Sequence, residues 1–185
     1  MMKNSNAFVR EMEQRDINKF LDYWFNATPD FLVGMGVDLK KLPSKEMLRK
    51  LISETIETPI DKKSAYYLIW EFNNKPIGHT NVNKIEFGND AFMHLHIWDP
   101  TVRQRGVGTE LVKRSLPFYF ENLKLACLYC EPYALNPAPN KTLPKVGFTF
   151  EKRYLTFPGT LNFEQEVNRW KLTREKFIHL YSQVI

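Results

Sequence analysis

The chain has 185 residues, of which 43% are hydrophobic and 14% aromatic. That much apolar surface offsets the entropy of ordering a chain, which excludes global disorder. Twenty-six basic residues stand against 21 acidic ones, a net charge of +5, and they are spread along the chain. This reads as a solvated basic surface, suited to a phosphate-rich ligand, and not as the single-sign block of a nucleic-acid binder.

The length fits one domain covering residues 1–185. Met1 to Ala7 contains no apolar core of a secretory signal, and no run approaches 18 apolar residues. The two cysteines, Cys127 and Cys130, fit a reducing compartment, so the cytoplasm is the expected location.

Phe8, Val9 and Arg10 read as a short first strand. Asp16 is placed to cap a helix in which Ile17, Phe20, Leu21 and Trp24 share one face. Thr28, Pro29 and Asp30 are expected to end it. After a loop marked by Gly34 and Gly36, Ser44 should cap a second amphipathic helix with Met47, Leu48, Leu51, Ile52 and Ile56 as its apolar residues. Three strand-like segments follow, over 65–72, 76–87 and 91–98, separated by the turn signals Asn73-Asn74 and Gly88-Asn89-Asp90.

The pattern then changes. A basic glycine loop over 103–108 leads into a helix over 109–123, with Leu111, Val112, Leu116 and Tyr119 on one side. Pro117 lies inside that pattern and should kink or shorten it. A strand over 125–131 completes a βαβ unit, whose two strands must run parallel. A Pro-interrupted helix over 136–146, a strand pair over 148–157 and 163–172, and a terminal helix close the chain. The expected fold is mixed α/β, with a largely antiparallel sheet, one parallel crossover and helices on both faces.

The loop Arg103-Gln104-Arg105-Gly106-Val107-Gly108-Thr109 carries the most specific chemistry. It joins a strand to a helix, and the first turn of a helix has unpaired N–H groups that attract anions. Two glycines admit a close phosphate, and two arginines add charged donors. The dinucleotide pattern G-x-G-x-x-G fails, because position 111 is Leu111. The Gly-Lys-Ser/Thr of a P-loop is absent.

Arg103-x-x-Gly106-x-Gly108 resembles motif A of the GCN5-related N-acetyltransferases, the GNAT superfamily. Downstream, Glu131 to Asn136 and Leu143 to Phe148 resemble that family's strand, Asn, short helix and Gly-Phe ending. The specific likeness covers about residues 91–150, and the chain looks closest to bacterial enzymes similar to the ribosomal-protein N-terminal acetyltransferases. The resemblance implies acetyl-CoA as co-substrate. It implies that the strand backbone at Ile97 and Trp98 lies against the pantetheine arm and that the amides from Arg103 through Gln104, Arg105, Gly106, Val107 and Gly108 to Thr109 cradle the pyrophosphate. Asn136 is matched to the Asn that contacts the pantetheine, and Asn140 is a further polar contact. The reaction implied is acetyl transfer to a primary amine, either a peptide N-terminus or a small amine. A homodimer is an assembly the family often shows.

Direct attack by an amine needs a base, an oxyanion donor and a proton for the departing thiolate. Glu131, five residues before Asn136, matches the base of the similar ribosomal-protein enzymes. His96 and His94, on one face of the strand beside the cofactor, are alternatives. The tyrosine that many family members place seven residues after the Asn is Leu143 here, and the related group's serine is Ala138. Tyr133 or Tyr129 is left as the proton donor. Phe31 and Met35 are expected near the acceptor. Cys127 and Cys130, three apart on a strand, face opposite sides and read as packing residues, and no metal site is indicated. The alternative activity is a non-catalytic acyl-CoA-binding module of the same fold.

Overall fold

The computed structural model describes residues 6–102 and 106–181. Seven strands form one sheet: β1 (Ala7–Glu11), β2 (Ala65–Phe72), β3 (Lys75–Glu86), β4 (Asp90–Ile97), β5 (Cys127–Cys130), β6 (Thr149–Thr156) and β7 (Gln165–Thr173). Their order is β1-β2-β3-β4-β5-β7-β6. Only β4 and β5 are parallel, because the connection between them is the crossover helix α4 (Val107–Pro117). This is the mixed sheet with one parallel crossover that the residue pattern implies.

Side chains alternate along β2 and so sort the two faces. Tyr66, Leu68 and Trp70 join the larger core beneath α4 and α6 (Arg174–Tyr181), whereas Ile69 joins the smaller core under α1 (Ile17–Phe25) and α3 (Lys45–Glu57). The Trp70 indole donates to the Ser115 hydroxyl at 2.9 Å, which pins α4 to the sheet. Pro117 has no N–H to continue the α-helical ladder. The chain proceeds as a π-helical turn over Phe118–Asn122, which buries Tyr119 and Phe120.

Several local expectations change. Asp16 does precede α1, but its carboxylate accepts from the Glu13 N–H at 2.9 Å and from both Arg10 terminal nitrogens, at 2.6 and 2.8 Å. Its charge is therefore spent tying the end of β1 to the helix start. Thr28 opens an element instead of closing one: its hydroxyl caps α2 (Pro29–Gly34), with Pro29 at the first turn. Ser44 caps α3 as expected, yet only Leu48 and Ile52 are buried, while Met47 and Leu51 point to solvent. α1 already covers the sheet there, so α3 presents one narrow stripe to it.

A polar layer sits between the sheet and α1. His79 on β3 stacks on His96 of β4 with ring centroids 4.5 Å apart, and its Nδ1 accepts from the Trp98 indole at 2.7 Å. Burial, reinforced by neighbouring histidines, holds His79 well below the ordinary 6.5 and His96 at about 3. Burial, with Lys84 nearby, holds His94 at about 4. No helix among the described residues is long and apolar enough to cross a membrane.

Two expectations follow for stability. The folded pKa of each of these histidines lies below its unfolded value, so the unfolded chain takes up protons first. Their contribution is complete above about 6.5 and is lost as pH falls, at up to about 1.4 kcal/mol per pH unit for each group. The thermal midpoint should drop between about pH 7 and about pH 5, and a flat profile would contradict the neutral polar layer. Gly78→Ala is the second case. Its Cβ would lie 2.4 Å from the His96 carbonyl oxygen, which is backbone and cannot rotate away. Urea denaturation should show a loss of about 1–3 kcal/mol.

Candidate active site

β4 and β5 pair only from Asp90↔Cys127 to Met93↔Cys130. β4 then stays with β3 as far as Gly78↔Ile97. The chain leaving β5 follows β7 instead: the Asn168 N–H donates to the Pro132 carbonyl at 3.2 Å and the Ala134 N–H to the Glu166 carbonyl at 2.9 Å. The two parallel strands therefore part. A cleft of about 440 Å³ opens between them, with Leu95, His96 and Ile97 on one wall and Asn136, Pro139, Lys141, Thr142 and Lys145 on the other.

The start of α4 forms its floor. Gly106 adopts a left-handed conformation (φ +77°) that turns the chain into the helix. The amides of Val107, Gly108 and Thr109 belong to the first turn, where no helical carbonyl is available to them. A Cβ on Gly108 would stand 3.3 Å from the Ile97 side chain, so glycine keeps this end of the cleft open. Gly106, Gly108 and Thr109 line the cleft. Arg103, Gln104 and Arg105 lie outside the described residues. Two cations that the loop motif did not reveal, Lys141 and Lys145, face the same space. Their signal in the sequence was their four-residue spacing, which places both on one side of a helical turn.

Asn136 caps α5 (Pro137–Thr142): its side-chain oxygen accepts from the Ala138 N–H at 3.3 Å, and the residue lines the cleft. Asn140, expected as a cofactor contact, is committed elsewhere. Its Nδ2 donates to the carbonyls of Tyr133 and Asn136 at 3.1 and 2.8 Å, and its Oδ1 accepts from Asn168 and the Trp170 indole, both at 2.9 Å. It locks α5 onto β7. Trp98 is likewise turned away from the cleft. Its N–H donates to the Ile77 carbonyl at 2.7 Å and its indole bonds His79.

Beside the cleft lies a smaller chamber of about 80 Å³, which shares Met35, Leu95, His96, Asn136 and Pro139 with it. Glu131 and Tyr133 line this chamber, so the structure brings both near His96. The Glu131 Oε1 accepts from Arg169 at 2.5 Å and from the Tyr154 hydroxyl. Arg169 in turn lies over the rings of Phe92, Tyr129 and Tyr154, 5.1–5.5 Å from their centroids. Tyr154 and Arg169 are on β6 and β7, far from Glu131 in sequence, so no local motif announces them. Tyr133 packs edge-on against Phe163, and its hydroxyl has no hydrogen bond among the described residues.

His96 does not suit a base at neutral pH. Burial holds it at about 3, and its Nδ1 lies 3.2 Å from the Tyr23 hydroxyl. Leu143, in place of the family's frequent tyrosine, is completely buried. Phe31 and Met35 line the cleft mouth together with Tyr23.

Solved structures share this architecture. A spermidine N-acetyltransferase from Vibrio cholerae in complex with CoA and spermine superposes with a TM-score of 0.76 at 19% identity, covering 95% of this chain and 99% of that one. A dodecameric spermidine N-acetyltransferase from the same organism, in an intermediate state, gives 0.73 at 18% identity, with 96% and 99% covered. A mutant of the Vibrio cholerae spermidine N-acetyltransferase gives 0.74 at 20%, with 96% and 99% covered. Among curated proteins, no sequence matches the chain. The family model for the acetyltransferase (GNAT) domain matches residues 7–149. With the parted strands and the glycine-opened helix inside that span, the chain belongs to the GNAT acetyltransferase family.

Proposed function

We propose that this chain transfers the acetyl group of acetyl-CoA to a primary amine, a small amine or a peptide N-terminus, by direct attack with both substrates bound. The observation that carries the reading is the divergence of β4 and β5 directly over the first turn of α4. The residues present fit the donor: a slot between strands, a helix start opened by glycine, and two lysines along one wall. The amides of Val107, Gly108 and Thr109, with Lys141 and Lys145, would hold its phosphates. Leu95, Ile97 and Asn136 would flank its arm. Acetyl-CoA supplies an acetyl group already activated as a thioester, so the protein needs no nucleophile of its own.

What the chain adds is placement and proton handling. Glu131 takes the proton from the attacking amine, directly or through a water. Arg169 and Tyr154 both donate to Oε1, which fixes the carboxylate plane and leaves Oε2 for the proton. Tyr133, whose hydroxyl is uncommitted among the described residues, is the donor to the departing sulfur. The buried Leu143 cannot serve there.

Calorimetry with CoA is the first test: saturable binding is expected, and its absence would sink the assignment. Gly108→Val, which crowds Ile97 and the first turn, should weaken CoA binding by at least about tenfold. Glu131→Gln should lower kcat by about 10²-fold or more, within the range for loss of a general base. His96→Gln should leave the shape of the kcat/KM pH profile unchanged, because His96 stays neutral throughout the working range. An inflection that vanishes in His96→Gln would transfer the base to that residue.

A further inference from the structure

Glu131 lines the small chamber beside the cleft, so an amine that gives its proton to Glu131 must bring its nitrogen into that chamber. The space there is small. About 80 Å³ is room for about three water-sized groups, at about 30 Å³ each. An amine on an unbranched carbon brings three such groups: the nitrogen, its carbon and the next atom. An amine on a branched carbon brings a fourth, which exceeds the volume.

The walls hold that volume fixed. Pro158, Asn162 and Gln165 line the chamber as its roof, with Met35 beside them. The roof is stitched to the stretch that follows α2. The Asp38 N–H donates to the Leu161 carbonyl at 2.8 Å, and Val37 forms a β-bridge with Asn162. The side-chain amides of Asn162 and Gln165 both donate to the Gly36 carbonyl, at 2.8 and 3.1 Å. Gly36 has φ +87°, and a Cβ there would stand 2.1 Å from Gln165 Oε1, so glycine is what admits this approach. Two lysines add further ties: Lys84 donates to the Pro158 carbonyl at 3.1 Å and Lys41 to the Asn162 carbonyl at 2.7 Å. The sides are held as well. The Tyr23 hydroxyl donates to the Met35 sulfur at 3.3 Å, and Tyr133 is bridged to Val167 and packed on Phe163. Met93 and Cys130, at the back, belong to the larger core.

We infer, on the basis of the acetyl-transfer reading, that the acceptor carries its amine on an unbranched carbon, as an aminoalkyl compound does, and that a peptide N-terminus other than glycine is rejected. In every other residue the carbon that bears the α-amine also bears a side chain, and the fastened roof leaves that group no space. The rejection is steric, because forcing an extra group into a fixed cavity displaces its walls. The constraint ends with the first three groups. The remainder of an accepted molecule lies outside the chamber and is not selected by it.

The test is steady-state acetyl transfer by the full chain from acetyl-CoA to two pairs of amines that differ at the branch: propylamine against isopropylamine, and glycinamide against alaninamide. The unbranched member of each pair should exceed the other in kcat/KM by at least about tenfold. A smaller ratio in the wild type overturns the inference. Asn162→Ala removes a lining side chain and one tie to Gly36. It should cut the ratio at least about fivefold by raising turnover of the branched amine, with the KM for acetyl-CoA unchanged. Lys84→Met releases the Pro158 carbonyl from outside the chamber and should move the ratio in the same direction. A gain with the branched amine cannot come from a damaged fold. A ratio unchanged in both variants also overturns the inference, since the roof would then not set the choice. Absence of turnover with every amine would remove the acetyl-transfer reading and this inference with it, whereas turnover without discrimination removes the inference alone.

Discussion

After Cys130 the backbone finds its hydrogen bonds on β7 and not on β4, and the cleft depends on that choice. A parallel pair that continued to Ile97 would have closed the sheet and buried the edge of β4. Instead Pro132 and Ala134 bond Asn168 and Glu166, while Asn140 clamps the following helix to the same strand through two hydrogen bonds, from Asn168 and the Trp170 indole. β4 is held on the other side with equal firmness. Gly78 lets β3 approach the His96 carbonyl closely, and the Thr80 hydroxyl donates to the His94 carbonyl at 2.7 Å. The slot is thus kept open by backbone bonding on two separate strand pairs, which makes it a rigid feature of the fold.

The polar groups around the slot divide into those spent on architecture and those left for chemistry. Asn140, Trp98 and Asp16 all have polar side chains, and all are consumed by internal partners. Glu131 is intermediate: Arg169 and Tyr154 engage one oxygen of its carboxylate and so orient the other. Gln165 and His94 stand at the other extreme, each with one buried side-chain atom unpaired.

The solved structures that share this fold are named for spermidine, yet at 18–20% identity they speak for the architecture alone. In this chain the loop from Pro158 to Gln165 folds over the sheet and is fastened to Gly36, Lys41 and Lys84.

The sequence by itself determined the order of the strands, the parallel crossover and the glycine-opened helix start, because each follows from local periodicity or from a backbone conformation that only certain residues adopt. It also put Glu131 beside β5 and Asn136 at the start of the helix that follows. It did not determine which polar side chains remain available, since that depends on partners distant in the chain. Asn140 has the same local surroundings as a free asparagine until β7 supplies Asn168 and Trp170. His96 is an ordinary imidazole until α1 and β3 bury it and take away its charge. Gln165 carries no motif at all, and only the meeting of its strand with Gly36, 129 residues away, aligns its amide and leaves one oxygen unpaired beside the cleft.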